Sequence, residues 1–132
     1  MKGTGARKQD GLEKIEDRTY RFALRVVKLV QAMPKEVASS VLARQLLRAA
    51  TSIGANVEEA LAAESKRDFT HKMGIAHKEA RETHYWLRLI SDAGIVPAER
   101  MGPITREALE IKKILWVCFI SVGIRLRKSP VE

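Results

Sequence analysis

Apolar residues recur along the chain at spacings of three and four, the period of a helix packed on one face. Phe22, Val26, Leu29, Val30 and Met33 mark the first run, with Arg18, Arg21, Arg25 and Lys28 as its solvated face. The run predicts a helix from about Ile15 to Met33, closed by Pro34, because proline disfavours helical backbone at the residue before it. The second run, from about Val37 to Ala63, carries two stripes. One is Leu42, Leu46, Ala49, Ile53, Val57 and Ala60; the other is Ala43, Leu47, Ala50, Gly54 and Leu61. A helix with two apolar faces has two packed faces. One bundle is expected to bury only the first. Ala43, Leu47, Ala50 and Gly54 are therefore expected to contact a second copy of the chain. The third run, Phe69, Met73, Ala76, Ala80, Thr83, Leu87 and Ile90, starts at a cap, Ser65 or Asp68, and stops at Gly94, a residue suited to a left-handed C-terminal stop. The fourth run, Ile104, Ala108, Ile111, Leu115, Cys118 and Val122, follows Pro97 and reaches about Arg127, with a kink expected at Gly102-Pro103.

Four amphipathic helices joined by short links predict an all-α fold, an antiparallel up-down-up-down four-helix bundle. The expected organisation is a flexible basic tail over 1–12, the bundle over 13–128 and a C-terminal tail over 129–132. No strand pattern or internal repeat is present. The composition agrees: aromatics are 5% of the chain, and most of the 45% hydrophobic content is Ala, Leu, Ile and Val, which fill a helical seam at low cost in entropy.

Charge changes the picture. The net charge is +8, which favours acidic partners, nucleic acid first and anionic membrane second. Lys2, Arg7, Lys8 and Lys14 lie near the start, and Arg125, Arg127 and Lys128 near the end. In the expected topology both ends share one pole. That pole is the expected phosphate site, non-specific and salt-sensitive. It has no interleaved aromatics, so base stacking is not expected there. The same C-terminal charges also offset the helix dipole.

Constellations for chemistry are sparse, and neither a catalytic nor a metal site is expected. No glutamate is followed by histidine three residues later, as a di-iron bundle requires. His71, His77 and His84 are spaced too widely along one helix to share an ion without a partner between them. No serine lies in a nucleophile elbow. Gly3-Thr4-Gly5-Ala6-Arg7-Lys8 lacks the ending of a phosphate loop and has no strand before it. Glu79 and Glu82 have the spacing of an acid–base pair, but Arg48, Lys78, Arg81 and Arg88 are available to pair with them. Trp86 shares their face and reads either as an interface residue or as the margin of the core. The lone Cys118 lies in an apolar run and reads as a core thiol, and one cysteine makes no internal disulfide. Met1 to Lys14 has no apolar stretch like that of a secretory signal, and no run is long enough to span a bilayer. The expected location is cytoplasmic, with no cofactor and no membrane.

Gln45-Leu46-Leu47-Arg48-Ala49-Ala50-Thr51-Ser52-Ile53-Gly54-Ala55-Asn56-Val57-Glu58-Glu59, then Ser65-Lys66-Arg67-Asp68-Phe69, then Lys72 to Ala76 and Lys78 to Leu87, form an ordered set of motifs. Together they resemble the bacterial four-helix-bundle family of 23S ribosomal RNA intervening sequences, over about Phe22 to Gly94. His84 and Ala60-Leu61 depart from its pattern. The resemblance implies a ring, a homopentamer, without enzyme activity. A related accessory protein of diversity-generating retroelements is a basic pentamer that binds nucleic acid and its reverse transcriptase. Two functions follow as expectations: a nucleic-acid-associated accessory ring, whose interface would include Trp86, or a protein-interaction scaffold whose basic pole is incidental.

Overall fold

The computed structural model describes residues 13–128, with side chains described through residue 124. Four helices follow one another: α1 (Ile15–Gln31), α2 (Val37–Leu61), α3 (Lys66–Asp92) and α4 (Ala98–Lys128). The expected tails, 1–12 and 129–132, lie outside the described residues.

Local chemistry sets the helix ends. α1 stops at Gln31, two residues short of the expected Met33, and Met33 instead closes a single turn onto the Val30 carbonyl. Pro34 disfavours helical backbone at Met33, so the helix winds down before it. Glu36 caps α2 by accepting from the Ala38 and Ser39 amides. α2 ends at Leu61 rather than Ala63. Ser65 caps α3 by accepting from the Asp68 amide at 3.0 Å, which decides between the two expected caps. Gly94 follows the end of α3 with φ +74°, and the Ile95 amide reaches back to the Ile90 carbonyl. That six-to-one bond closes helices whose next residue turns left-handed. α4 is one helix through Pro103, where the ring removes one backbone donor.

The helices pack in sequence order, and α4 returns to α1 along a narrower seam. Arg48 of α2 meets Glu79 and Glu82, while Glu59, further along α2, meets Lys72. Gly74 faces Phe119, while His77 faces Trp116. Numbers rise on one helix as they fall on the next, the register of antiparallel neighbours. Arg18 closes the α1–α4 seam with a two-point bond to Glu107, at 2.7 and 2.9 Å. This planar fork fixes direction as well as distance.

The core follows the expected stripes. Phe22, Val26, Leu46, Ile53, Val57, Met73, Leu87, Ile90, Ile111 and Leu115 are fully buried. Each large side chain contributes about 1.5–3 kcal/mol by leaving water. The second stripe of α2 departs from expectation. Ala50 is fully buried within the subunit, and the open side of Gly54 faces Thr19 of α1, where a Cβ would lie 3.4 Å from Oγ1. Ala43 and Leu47 pack on the margin of the same core. Ala50 is therefore closed to a second copy and Gly54 is half-buried against α1, while Leu61 of the same stripe is exposed. The premise that one bundle buries only one stripe of α2 fails because α1 and α3 lie on different sides of it. Thr19 is buried there too, its hydroxyl donating to the Ile15 carbonyl at 2.9 Å.

Candidate nucleic-acid interface on helices α3 and α4

Charge on α3 is written as near-alternation: Lys78-Glu79-Ala80-Arg81-Glu82. Wound into a helix, the signs separate. Residues three, four and seven apart share a face, so Glu79, Glu82 and Trp86 turn one way and Lys78, Arg81, Tyr85 and Arg88 another. The acids face α2. Arg48 pairs with both glutamates, and the Trp86 indole donates to Glu82 Oε2 at 3.0 Å. The pair is thus an ion-paired seam between α2 and α3. Trp86, half-buried, packs against the core and meets Tyr85 edge-on at 5.0 Å.

The cations are left on the α4 side. Lys78, Arg81 and Arg88 of α3, with Arg106 and Lys112 of α4, form no ion pair with a described carboxylate. Two open grooves run along this seam. One, of about 430 Å³, is lined by Arg67, His71, Gly74, Lys78 and Phe119 among others. The second, of about 300 Å³, is lined by His84, Arg88, Thr105 and Arg106, with Asp92 as its acid. Gly74 makes room for the Phe119 ring, since a Cβ there would come within 2.9 Å of it. Phe119 in turn stands 5.6 Å from Trp116, whose other neighbour is His77 at 5.1 Å. Trp116 is 46% exposed beside His77, and Tyr85 is 49% exposed one turn from Arg81 and from Arg88.

The histidines register the local positive field. Both imidazoles are held below the usual value near 6.5, first by burial and then by cations: Arg81 and Lys112 act on His77, and Lys112 and Arg88 on His84. The unfolded chain therefore binds protons that the folded chain refuses. This contribution to stability is complete above about pH 6.5 and is lost as pH falls through the unfolded value toward the folded ones. The thermal midpoint should fall between about pH 7.5 and 5.5. The fall should shrink in His77→Gln/His84→Gln, as differential scanning calorimetry would measure.

The residues expected from the sequence are placed as follows. Lys2, Arg7 and Lys8 lie outside the described residues. Lys14 is exposed at the start of α1, and Arg125, Arg127 and Lys128 belong to the last turns of α4. Arg18, one turn into α1, meets Glu107. The 18 residues from there to Arg125 are about 27 Å of helix. Among the described side chains, unpaired cations gather along the α3–α4 seam. On α1, Arg18 is taken by Glu107 and Arg21 by Glu13. The sequence reading missed the seam because its cations come from two helices. The signal was the face shared by Lys78, Arg81 and Arg88. Cys118 is half-buried, and burial pushes its thiol up, away from the reactive thiolate. Among the described residues no three His, Cys, Asp or Glu side chains are grouped to hold a metal ion, and no helix is long and apolar enough to cross a membrane.

The fold and its separated charges define a small helical bundle with one basic, aromatic-bearing face. The chain belongs to the 23S rRNA-intervening sequence protein family, whose profile matches residues 13–117. It is also similar to a crystal structure of a protein of unknown function from the S23 ribosomal protein family of Bacteroides thetaiotaomicron VPI-5482. The identity is 38%, the TM-score is 0.74, and the match covers 80% of this chain and 98% of that one. No curated protein matches the chain.

Proposed function

We propose that this chain is a non-enzymatic accessory protein that binds nucleic-acid phosphate, without sequence preference, through the α3–α4 face. The observation that carries the reading is the separation of charge on α3. Its Glu79 and Glu82 are spent on Arg48, while Lys78, Arg81 and Arg88 pair with no described carboxylate beside Arg106 and Lys112. Unpaired cations on one face form the footprint that phosphate recognises. Lys14, Arg125, Arg127 and Lys128 add to the same long-range attraction. The protein acts in the cytoplasm, where a lone thiol stays reduced. Anisotropy titration of labelled RNA and DNA with the full chain tests the reading. Binding that weakens steeply with salt supports it, and no binding of either polymer at low salt overturns it.

The family resemblance also supports a homo-oligomer, a ring of five. Within the stripe first expected to build it, Ala50 is buried inside the subunit. The outer stripe of α4 takes its place: Val117 is 57% and Ile124 41% exposed, with half-buried Ile120 between them. Exposed apolar side chains at this spacing suit a helix face covered by another copy. The parent should scatter light as a multimer and Val117→Asp/Ile124→Asp as a folded monomer. A parent that is monomeric at micromolar concentration contradicts the assembly. A scaffold for a protein partner, a reverse transcriptase being the example the resemblance offers, is the second reading. The same exposed apolar side chains favour it.

A further inference from the structure

The seam contains more than charge, and its aromatics narrow the ligand. Resting on the phosphate-binding reading, we propose that the α3–α4 face takes single-stranded nucleic acid in preference to duplex, with bases stacking on Trp116 and Tyr85. Phosphate needs only cations. A duplex presents phosphates and groove edges but keeps its base faces stacked inside. A single strand offers base faces, which any exposed aromatic ring accepts whatever the sequence.

Trp116 meets this requirement. It is 46% exposed and is backed by two rings, His77 at 5.1 Å and Phe119 at 5.6 Å. Phe119 is itself seated by the absence of a side chain at Gly74. The indole thus has ring neighbours on both helices, His77 on α3 and Phe119 on α4. Lys112 lies one helical turn before it on α4, on the side where a stacked nucleotide would carry its phosphate. Tyr85 repeats the arrangement on α3: 49% exposed, one turn from Arg81 and from Arg88, and braced edge-on by Trp86 at 5.0 Å. Cations with solvent-facing rings among them suit a strand that alternates phosphate and base. An acidic protein would use the cations and leave the rings idle.

The test uses the full chain with a labelled single strand of about 16 nucleotides, the upper end of common single-strand site sizes, and the matching duplex. Poly-glutamate serves as the acidic-polymer probe. The parent should bind the single strand more tightly than the duplex. Trp116→Ala should lower single-strand affinity by about tenfold or more and leave duplex affinity unchanged. Trp116→Phe should restore most of the loss, and circular dichroism should show both variants folded. In a Trp86→Phe background, where Trp116 is the one tryptophan left, the strand should quench the remaining fluorescence and the duplex should not. Equal affinity of parent and Trp116→Ala for the single strand, or equal quenching by duplex, overturns stacking while leaving phosphate binding intact. Binding of neither polymer overturns both readings. Poly-glutamate bound as tightly as the single strand overturns nucleic acid as the ligand.

Discussion

Gly54→Leu should unfold more readily than the parent, with the thermal midpoint lower by about 5 °C. A Cβ at this position already stands 3.4 Å from Thr19 Oγ1 and 3.7 Å from the Thr19 carbonyl carbon. A full leucine must push α1 outward, because backbone does not yield as a flexible side chain does. Overpacking of this kind costs about 1–3 kcal/mol, and helix propensity returns about 1 kcal/mol of it. The net loss, about 1 kcal/mol at the middle of that range, is measurable against a total stability of about 5–15 kcal/mol. Gly54→Ala makes only an ordinary contact and should keep most of the propensity gain, so it should melt at or above the parent. Thermal denaturation followed by circular dichroism separates the two. A Gly54→Leu chain that melts like the parent would mean that α1 does not lie against this stripe.

The second large effect concerns charge. Arg81→Ala/Arg88→Ala/Lys112→Ala should lower affinity for a single strand on the order of a hundredfold at low salt. The three cations come from both sides of one seam, and none is paired with a described carboxylate. Their removal leaves no partner stranded, so the fold should hold. Burial still holds His77 and His84 low, but both should titrate closer to the ordinary imidazole value once the cations that add to it are gone. That shift is readable by proton resonance and confirms that the substitutions act locally.

The helices and their seams were legible in the sequence because periodicity of three and four reports burial directly. Met73, Ala76, Ala80, Thr83, Leu87 and Ile90 all lie in the core as spaced. What covers a stripe was not legible. The spacing of Ala50 and Gly54 announces a close neighbour but is the same for α1 as for another copy of the chain. The ion pairs of Arg48 were half legible. It was one of four cations available to Glu79 and Glu82, and only the α2–α3 register chooses it over Lys78, Arg81 and Arg88. That choice favours the basic face, since Glu79 and Glu82 turn to α2 and leave Lys78, Arg81 and Arg88 without a described carboxylate. Lys112 and Trp116 join the face through the α3–α4 register, set where Phe119 lies against Gly74. The charges at the chain ends cluster in sequence, whereas those of the seam come from two helices that meet only in space.

The most direct measurement compares salt slopes for two variants with the same loss of charge. One is Arg81→Ala/Arg88→Ala/Lys112→Ala. The other is Arg25→Ala/Lys28→Ala/Arg44→Ala, which removes three cations from α1 and α2. Affinity for the single strand is read across a range of salt concentrations, and each phosphate contact contributes about 0.7 to the slope of its logarithm. If the α3–α4 face binds phosphate, the first variant should lose about 2 from the parent's slope, and the second should keep it. Equal slopes for the two variants would contradict the assignment and reduce the attraction to net charge alone.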